Sequence, residues 1–127
     1  GFTKARKANF RSLFEGLSRF QEALILPTWD PRADVCWFAF PITVRDNQGF
    51  TRNDLIRWLE EKKIETRFLL AGNIVRQPGY VNIPHRTVGD LPNTDRVMQA
   101  GFFIGVYPGL DEPRLQYMLR QFQLFLG

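Results

Sequence analysis

A chain of 127 residues, 44% of them hydrophobic, is long enough to bury one core and short for two. It has no run of about 18 apolar residues, and its start, Gly1-Phe-Thr-Lys-Ala-Arg-Lys7, lacks the apolar block of an export signal, so neither a membrane span nor a secretory leader is expected. The net charge of +4 is carried by 13 Arg against 4 Lys, which favours forked contact with phosphate or carboxylate; the arginines follow no single stripe and no nucleic-acid module accompanies them, so no nucleic-acid partner is expected.

From Thr3 to about Leu24, apolar residues fall at Phe10, Leu13, Phe14, Leu17, Phe20 and Leu24 with charges on the other faces, which predicts a long amphipathic helix. Its wide phenylalanine stripe should pack partly on something outside the domain. Pro27 and Asp30-Pro31 end it. Cys36 to Val44 is aromatic and β-branched and reads as a buried strand, closed by the turn-forming Asp46-Asn47-Gln48-Gly49. The single cysteine, Cys36, has no internal disulfide partner; within this apolar run it reads as a buried small hydrophobe, which suits a reducing, cytoplasmic setting.

Thr51 with Asp54 three residues on forms a capping box for a helix to about Lys63, with Leu55, Ile56 and Leu59 facing inward. Ile64 to Leu70 returns as a strand. This strand–helix–strand order allows a parallel crossover or an antiparallel return. From Ala71 to Asn93 no period holds, and Gly72, Pro78, Gly79, Pro84, Gly89 and Pro92 break the stretch. Asn93 or Thr94 is expected to cap a short helix through Met98. Gly101 to Tyr107 reads as a central strand and Pro108-Gly109 as a turn. Asp111 caps a terminal helix whose apolar face is Leu115, Met118, Leu119, Phe122 and Leu126. The expected fold is an α/β (α+β two-layer) domain, a three- to four-stranded sheet covered by helices.

The one stretch that reads as a binding loop is Arg67-Phe-Leu-Leu-Ala-Gly-Asn73-Ile-Val-Arg76-Gln77-Pro78-Gly-Tyr80. It leaves a strand and sets guanidinium, amide and phenol groups in a connection of a length that compact domains reserve for function or disorder. Forked guanidinium donors suit phosphate oxygens, while amides and phenols suit sugar hydroxyls and carbonyls. Chemistry alone leaves open a loop pinned by its own polar side chains. Asp90, Asp95 and Arg96 read as cap and salt-bridge residues. His85 has no Ser, Cys or second His at useful spacing and takes a surface or hydrogen-bonding role; one His and one Cys do not assemble a zinc-type site, so no metal is expected. Gly105 and Gly109, flanking Tyr107-Pro108, mark either tight packing or close approach to a ligand.

Trp37-Phe-Ala-Phe-Pro-Ile-Thr43, the Arg67–Tyr80 loop, Gly89-Asp-Leu-Pro-Asn-Thr-Asp-Arg96 and Gly105-Val-Tyr-Pro-Gly-Leu110 together resemble the C-terminal part of the DegT/DnrJ/EryC/StrS sugar aminotransferases. The resemblance covers nearly the whole chain but only the last third or so of such an enzyme. The pattern Ala71-Gly-Asn73-x-x-Arg76-Gln77-Pro78-x-Tyr80 looks most like the CDP-4-keto-6-deoxyglucose 3-dehydratase branch of lipopolysaccharide O-antigen dideoxysugar synthesis, because ordinary aminotransferases of the family carry a histidine-containing variant there.

This resemblance implies the small C-terminal domain of a pyridoxal-phosphate-dependent, aspartate-aminotransferase-like fold, with 1–26 as a linking helix and 33–127 as the α/β body. It implies a pyridoxamine-phosphate-dependent dehydratase that removes the 3-hydroxyl of a nucleotide-linked 4-keto-6-deoxy sugar, the alternatives being a nucleotide-sugar aminotransferase of the same family or a non-catalytic binding domain. Substrate contacts would come from Asn73, Arg76, Gln77, Tyr80 and Arg67. The cofactor would be bound mainly by the large domain, which would also hold the catalytic histidine and any iron–sulfur cluster, leaving these residues catalytically silent alone. A second subunit in a homodimer and a reductase are the further partners implied.

Overall fold

The apolar periods resolve into four helices and a four-stranded sheet in the computed structural model, which describes residues 1–127. Helix α1 (Phe2–Leu17) buries Phe10, Leu13 and Leu17 at helical spacing. It tightens into a 3₁₀ turn at Ser18–Phe20, where the Ser18 hydroxyl donates to the Phe14 carbonyl. The helix therefore stops at Leu17 rather than near Leu24. Leu24 instead opens strand β1 (Leu24–Ile25), paired with Val44, and is fully buried there; a leucine at this spacing satisfies either period.

Strand β2 (Ala39–Val44) begins three positions after Cys36. The residues before it are irregular. Trp37 turns in and stacks on Phe10 with ring centres 5.1 Å apart, and Cys36 beside it is exposed, so the expected buried cysteine is corrected. Trp29 meets Phe10 and Phe14 edge-on at 5.7 and 5.2 Å. The phenylalanine stripe of α1 is thus covered largely from within: Phe10 is buried, and Phe14 and Phe20 are half-buried against the core.

Helix α2 (Arg52–Glu61) has its capping box complete: the Thr51 hydroxyl accepts from the Asp54 N–H at 3.2 Å, and the Asp54 carboxylate accepts from the Thr51 N–H at 2.8 Å. Strand β3 is only Thr66–Arg67, ending before the left-handed Leu70 (φ 48°). Helix α3 (Pro92–Ala100) begins behind Leu91, itself left-handed at φ 54°, with proline at its first position. Asn93 and Thr94 therefore lie inside the helix and do not cap it. Strand β4 (Gly101–Gly105) follows directly, and helix α4 (Glu112–Leu126) starts where Asp111 accepts from the Arg114 N–H at 3.1 Å.

The sheet order is β1-β2-β4-β3 with every neighbouring pair antiparallel. Because β2 and β3 each oppose β4, they run the same way with β4 between them. The crossover through α2 is thus a split β-α-β unit, which settles the two connections the sequence allows. Phe40, Ile42, Val44, Phe102 and Ile104 share one face of the sheet and are buried against Leu13 and Leu17 of α1, Leu55 and Leu59 of α2, and Leu115 and Phe122 of α4. The two-layer α/β fold is as expected. On the other face Pro41, Phe103 and Arg67 lie abreast in register and are only partly covered. No helix is long and apolar enough to cross a membrane.

Candidate functional site

Twenty residues of mostly irregular chain, 71–90, leave the end of β3 and return at α3, and their course is set by contacts with that helix. Gly72 is left-handed at φ 59°, and a Cβ on it would stand 2.6 Å from the Cβ of Met98. Glycine is needed there for both conformation and space. The chain can thus lie directly on α3, and Gln77 reaches back to donate to the Ala71 carbonyl at 2.6 Å.

At the base of this loop sits Asn73, only 1% exposed, whose side-chain amide donates to Asp95 Oδ1 at 2.7 Å. Arg76 meets the same carboxylate side-on, through Nε to Oδ1 and through Nη2 to Oδ2 at 2.6 Å. Asp95 stands in the first turn of α3, where the helix dipole favours a negative charge. Its carboxyl is held below its ordinary range, first by the Arg76 guanidinium and then by the Asn73 amide, and Arg76 is held above its own by Asp95. Asp95, expected to be structural, is the hub that joins two of the sequence-predicted site residues.

The remaining expected residues are placed differently. Tyr80 is bonded through its backbone, N–H to the Gln77 carbonyl at 2.8 Å, and its ring is half exposed. Residues 78–90 are exposed throughout, with Val81, Ile83 and Val88 outward and the His85 Nδ1 donating to the Ile83 carbonyl at 2.6 Å. Arg67 does not join the Asp95 cluster. It pairs with Glu65 and, with Phe38, Phe103, Tyr107 and Arg114, lines an open groove of about 920 Å³ beside β3 and α4.

A second anchor escaped sequence reading. Arg52, the first residue of α2, donates to the carbonyls of Met98 at 2.7 Å and Gly101 at 3.3 Å, closing the C-terminus of α3. Its guanidinium lies 4.5 Å over the ring of Phe68, where the loop departs from β3, and burial lowers its pKa. One side chain thus ties the start of the loop to the helix at its far end. The signal was a basic residue at a helix N-terminus, where the dipole disfavours it and a compensating contact is required.

The sequence model of the DegT/DnrJ/EryC1/StrS aminotransferase family matches residues 1–123. The chain belongs to that family. This family member is 46% identical over 126 residues to the lipopolysaccharide biosynthesis protein RfbH of Salmonella typhimurium LT2, covering 99% of this chain and 29% of that protein. It is 39% identical over 126 residues to the dTDP-4-dehydro-2,6-dideoxy-D-glucose 3-dehydratase of Saccharopolyspora spinosa, covering 99% of this chain and 27% of that one. The chain therefore spans less than a third of the length of either relative.

Solved structures show the same fold at low identity. DesV of S. venezuelae, in complex with a ketimine intermediate, superposes with a TM-score of 0.82 at 18% identity, over 98% of this chain and 32% of that one. The E. coli GDP-4-keto-6-deoxy-D-mannose-3-dehydratase with bound hydrated PLP gives 0.82 at 19% identity, over 94% of this chain and 30% of that one.

Proposed function

We propose that this chain is the C-terminal, substrate-facing part of a pyridoxamine- or pyridoxal-phosphate-dependent 3-dehydratase, which removes the 3-hydroxyl of a nucleotide-linked 4-keto-6-deoxy sugar for lipopolysaccharide dideoxysugar synthesis. The observation that carries this reading is the 46% and 39% identity, each across 99% of the chain, to a lipopolysaccharide biosynthesis protein and to a sugar-nucleotide 3-dehydratase. The family also contains aminotransferases, and the relative named a 3-dehydratase favours the dehydratase branch over them.

Two of the four helix N-termini and two of the four lysines in this chain are already engaged. The N-termini of α2 and α4, where a phosphate would be held, are filled by the chain's own caps, Thr51 with Asp54 and Asp111. Lys7 is paired with Asp34, and Lys62 lies 4.6 Å over the Trp58 ring. The main cofactor contacts and the proton-transferring base are assigned to a large domain outside the 127 residues. Any cluster thiolates belong there too, since Cys36 is the only cysteine. Within the chain the roles are binding and orientation: Arg76, held by Asp95, offers donors to sugar oxygens, Gln77, held through its amide nitrogen by the Ala71 carbonyl, offers its side-chain oxygen as an acceptor, and Tyr80 follows half exposed in the same loop. The groove lined by Phe38, Phe103 and Arg67 faces the large domain, with a homodimer and a reductase as the partners.

The test is to supply the full-length protein with the cofactor and CDP-, dTDP- or GDP-linked 4-keto-6-deoxy sugars and follow the product by mass spectrometry. Replacement of the 3-hydroxyl by hydrogen, a net loss of one oxygen without gain of nitrogen, is the expected result, the two electrons being supplied by pyridoxamine phosphate or by a reductase added to the assay. A 4-amino sugar formed at the expense of an amino-acid donor would place the protein among the aminotransferases instead.

A further inference from the structure

Arg76 has five N–H donors, and its side-on pairing with Asp95 uses two of them, Nε–H and one on Nη2. Three remain on the outer edge of a side chain that is 52% exposed. The carboxylate that orients this edge also cancels its charge. A guanidinium meant to anchor a phosphate gains from being free of a nearer anion; one already paired offers directed hydrogen bonds to neutral oxygens. The supporting amide points the same way. Asn73 is buried and gives one of its two amide N–H donors to Asp95, so it reinforces the carboxylate, and its burial keeps it from facing a ligand.

We propose that Asp95 is a positioning residue for substrate recognition, and that the Arg76–Asp95 pair reads the neutral hydroxyl and carbonyl oxygens of the sugar rather than the phosphates of the nucleotide. This rests on the reading that the 71–90 loop faces a nucleotide-linked sugar, and it reassigns two of that loop's residues: Asn73 becomes a support, and Asp95, acting through Arg76, becomes a determinant of specificity. Lysine at position 76 would not substitute, because an ammonium has no planar fork to lie side-on against the carboxylate.

The experiment compares wild type, Asp95→Asn, Arg76→Ala, Arg76→Lys and the Asp95→Asn/Arg76→Ala double variant in the full-length holoenzyme. For each, kcat and KM are measured with the sugar nucleotide, affinity with the corresponding sugar-free nucleoside diphosphate, and the melting temperature alongside. Arg76→Ala and Arg76→Lys are expected to lower kcat/KM by about 10- to 100-fold, and Asp95→Asn by a comparable factor. The double variant should be no worse than Arg76→Ala, and affinity for the sugar-free nucleoside diphosphate should stay within about twofold throughout. A full additional loss from Asp95→Asn on top of Arg76→Ala would overturn the positioning role. Loss of nucleoside diphosphate affinity in step with kcat/KM would overturn the sugar assignment and give Arg76 to the phosphates. An Arg76→Ala enzyme with wild-type kinetics would remove the loop from the substrate, and the proposal with it.

Discussion

At the scale of single residues, the site turns on one carboxylate serving two donors. The folded pKa of Asp95 is depressed below its ordinary value of 3.8, with Arg76 the larger cause and Asn73 the second. A depressed carboxylate contributes order that is fully present above the unfolded value and lost as pH falls through the lower folded one. The expectation is that the side-chain resonances of Asn73 and Arg76, followed by ¹⁵N NMR, hold unchanged through the range in which an ordinary aspartate protonates and move only at more acid pH. Movement at or above that range would mean that the pair does not form in solution. The candidate loop was legible in the sequence as a cluster of polar groups without a period, but its division of labour was not. Asn73, Arg76 and Asp95 are brought together across 22 positions, and only the course of the chain over α3 decides that Asn73 faces inward.

At the scale of elements, legibility followed the locality of the forces. The starts of α2 and α4 were readable because a capping side chain bonds two or three residues ahead, whatever the rest of the chain does. β1 was not, since a strand of two residues exists only through its pairing with Thr43 and Val44. The true lengths of β3 and α3 were hidden for a related reason. The start of α3 is set by the left-handed Leu91, β3 stops three residues short of the left-handed Leu70, and leucine carries no local preference for that conformation. Both outliers bracket the candidate loop, which is where strained backbone tends to be tolerated. The capping box supplies a test at this scale. Thr51→Ala should lower stability by about 1 kcal/mol in urea unfolding, while Thr51→Ser should fall within about 0.5 kcal/mol of wild type, because serine restores the acceptor for the Asp54 N–H. Equal losses from both would mean that the threonine methyl, and not the hydroxyl, holds the start of α2.

At the scale of the whole molecule, one sheet separates two environments. Its inner face carries Phe40, Ile42 and Phe102, all fully buried beneath three helices, and its outer side carries Phe38, 76% exposed and edge-on to Phe103 at 6.0 Å. Two phenylalanines two residues apart are thus expected to differ sharply in what they contribute. Phe40→Ala leaves a cavity among α1, β4 and the Trp37 stack, and should cost about 3–5 kcal/mol, a large part of the 5–15 kcal/mol typical of a domain. Phe38→Ala removes surface that water already reaches, and should change the stability of this chain by no more than about 0.5 kcal/mol. In the full-length protein the contrast should narrow if the groove holding Phe38 and Arg67 is where the large domain packs, because truncation there would then expose an interface. Paired urea unfolding of both variants, in the 127-residue chain and in the full-length protein, measures each term. A Phe38→Ala effect that stays negligible in both settings would leave the outer face solvent-exposed and remove the groove from the domain interface, while the core assignment would still stand on Phe40.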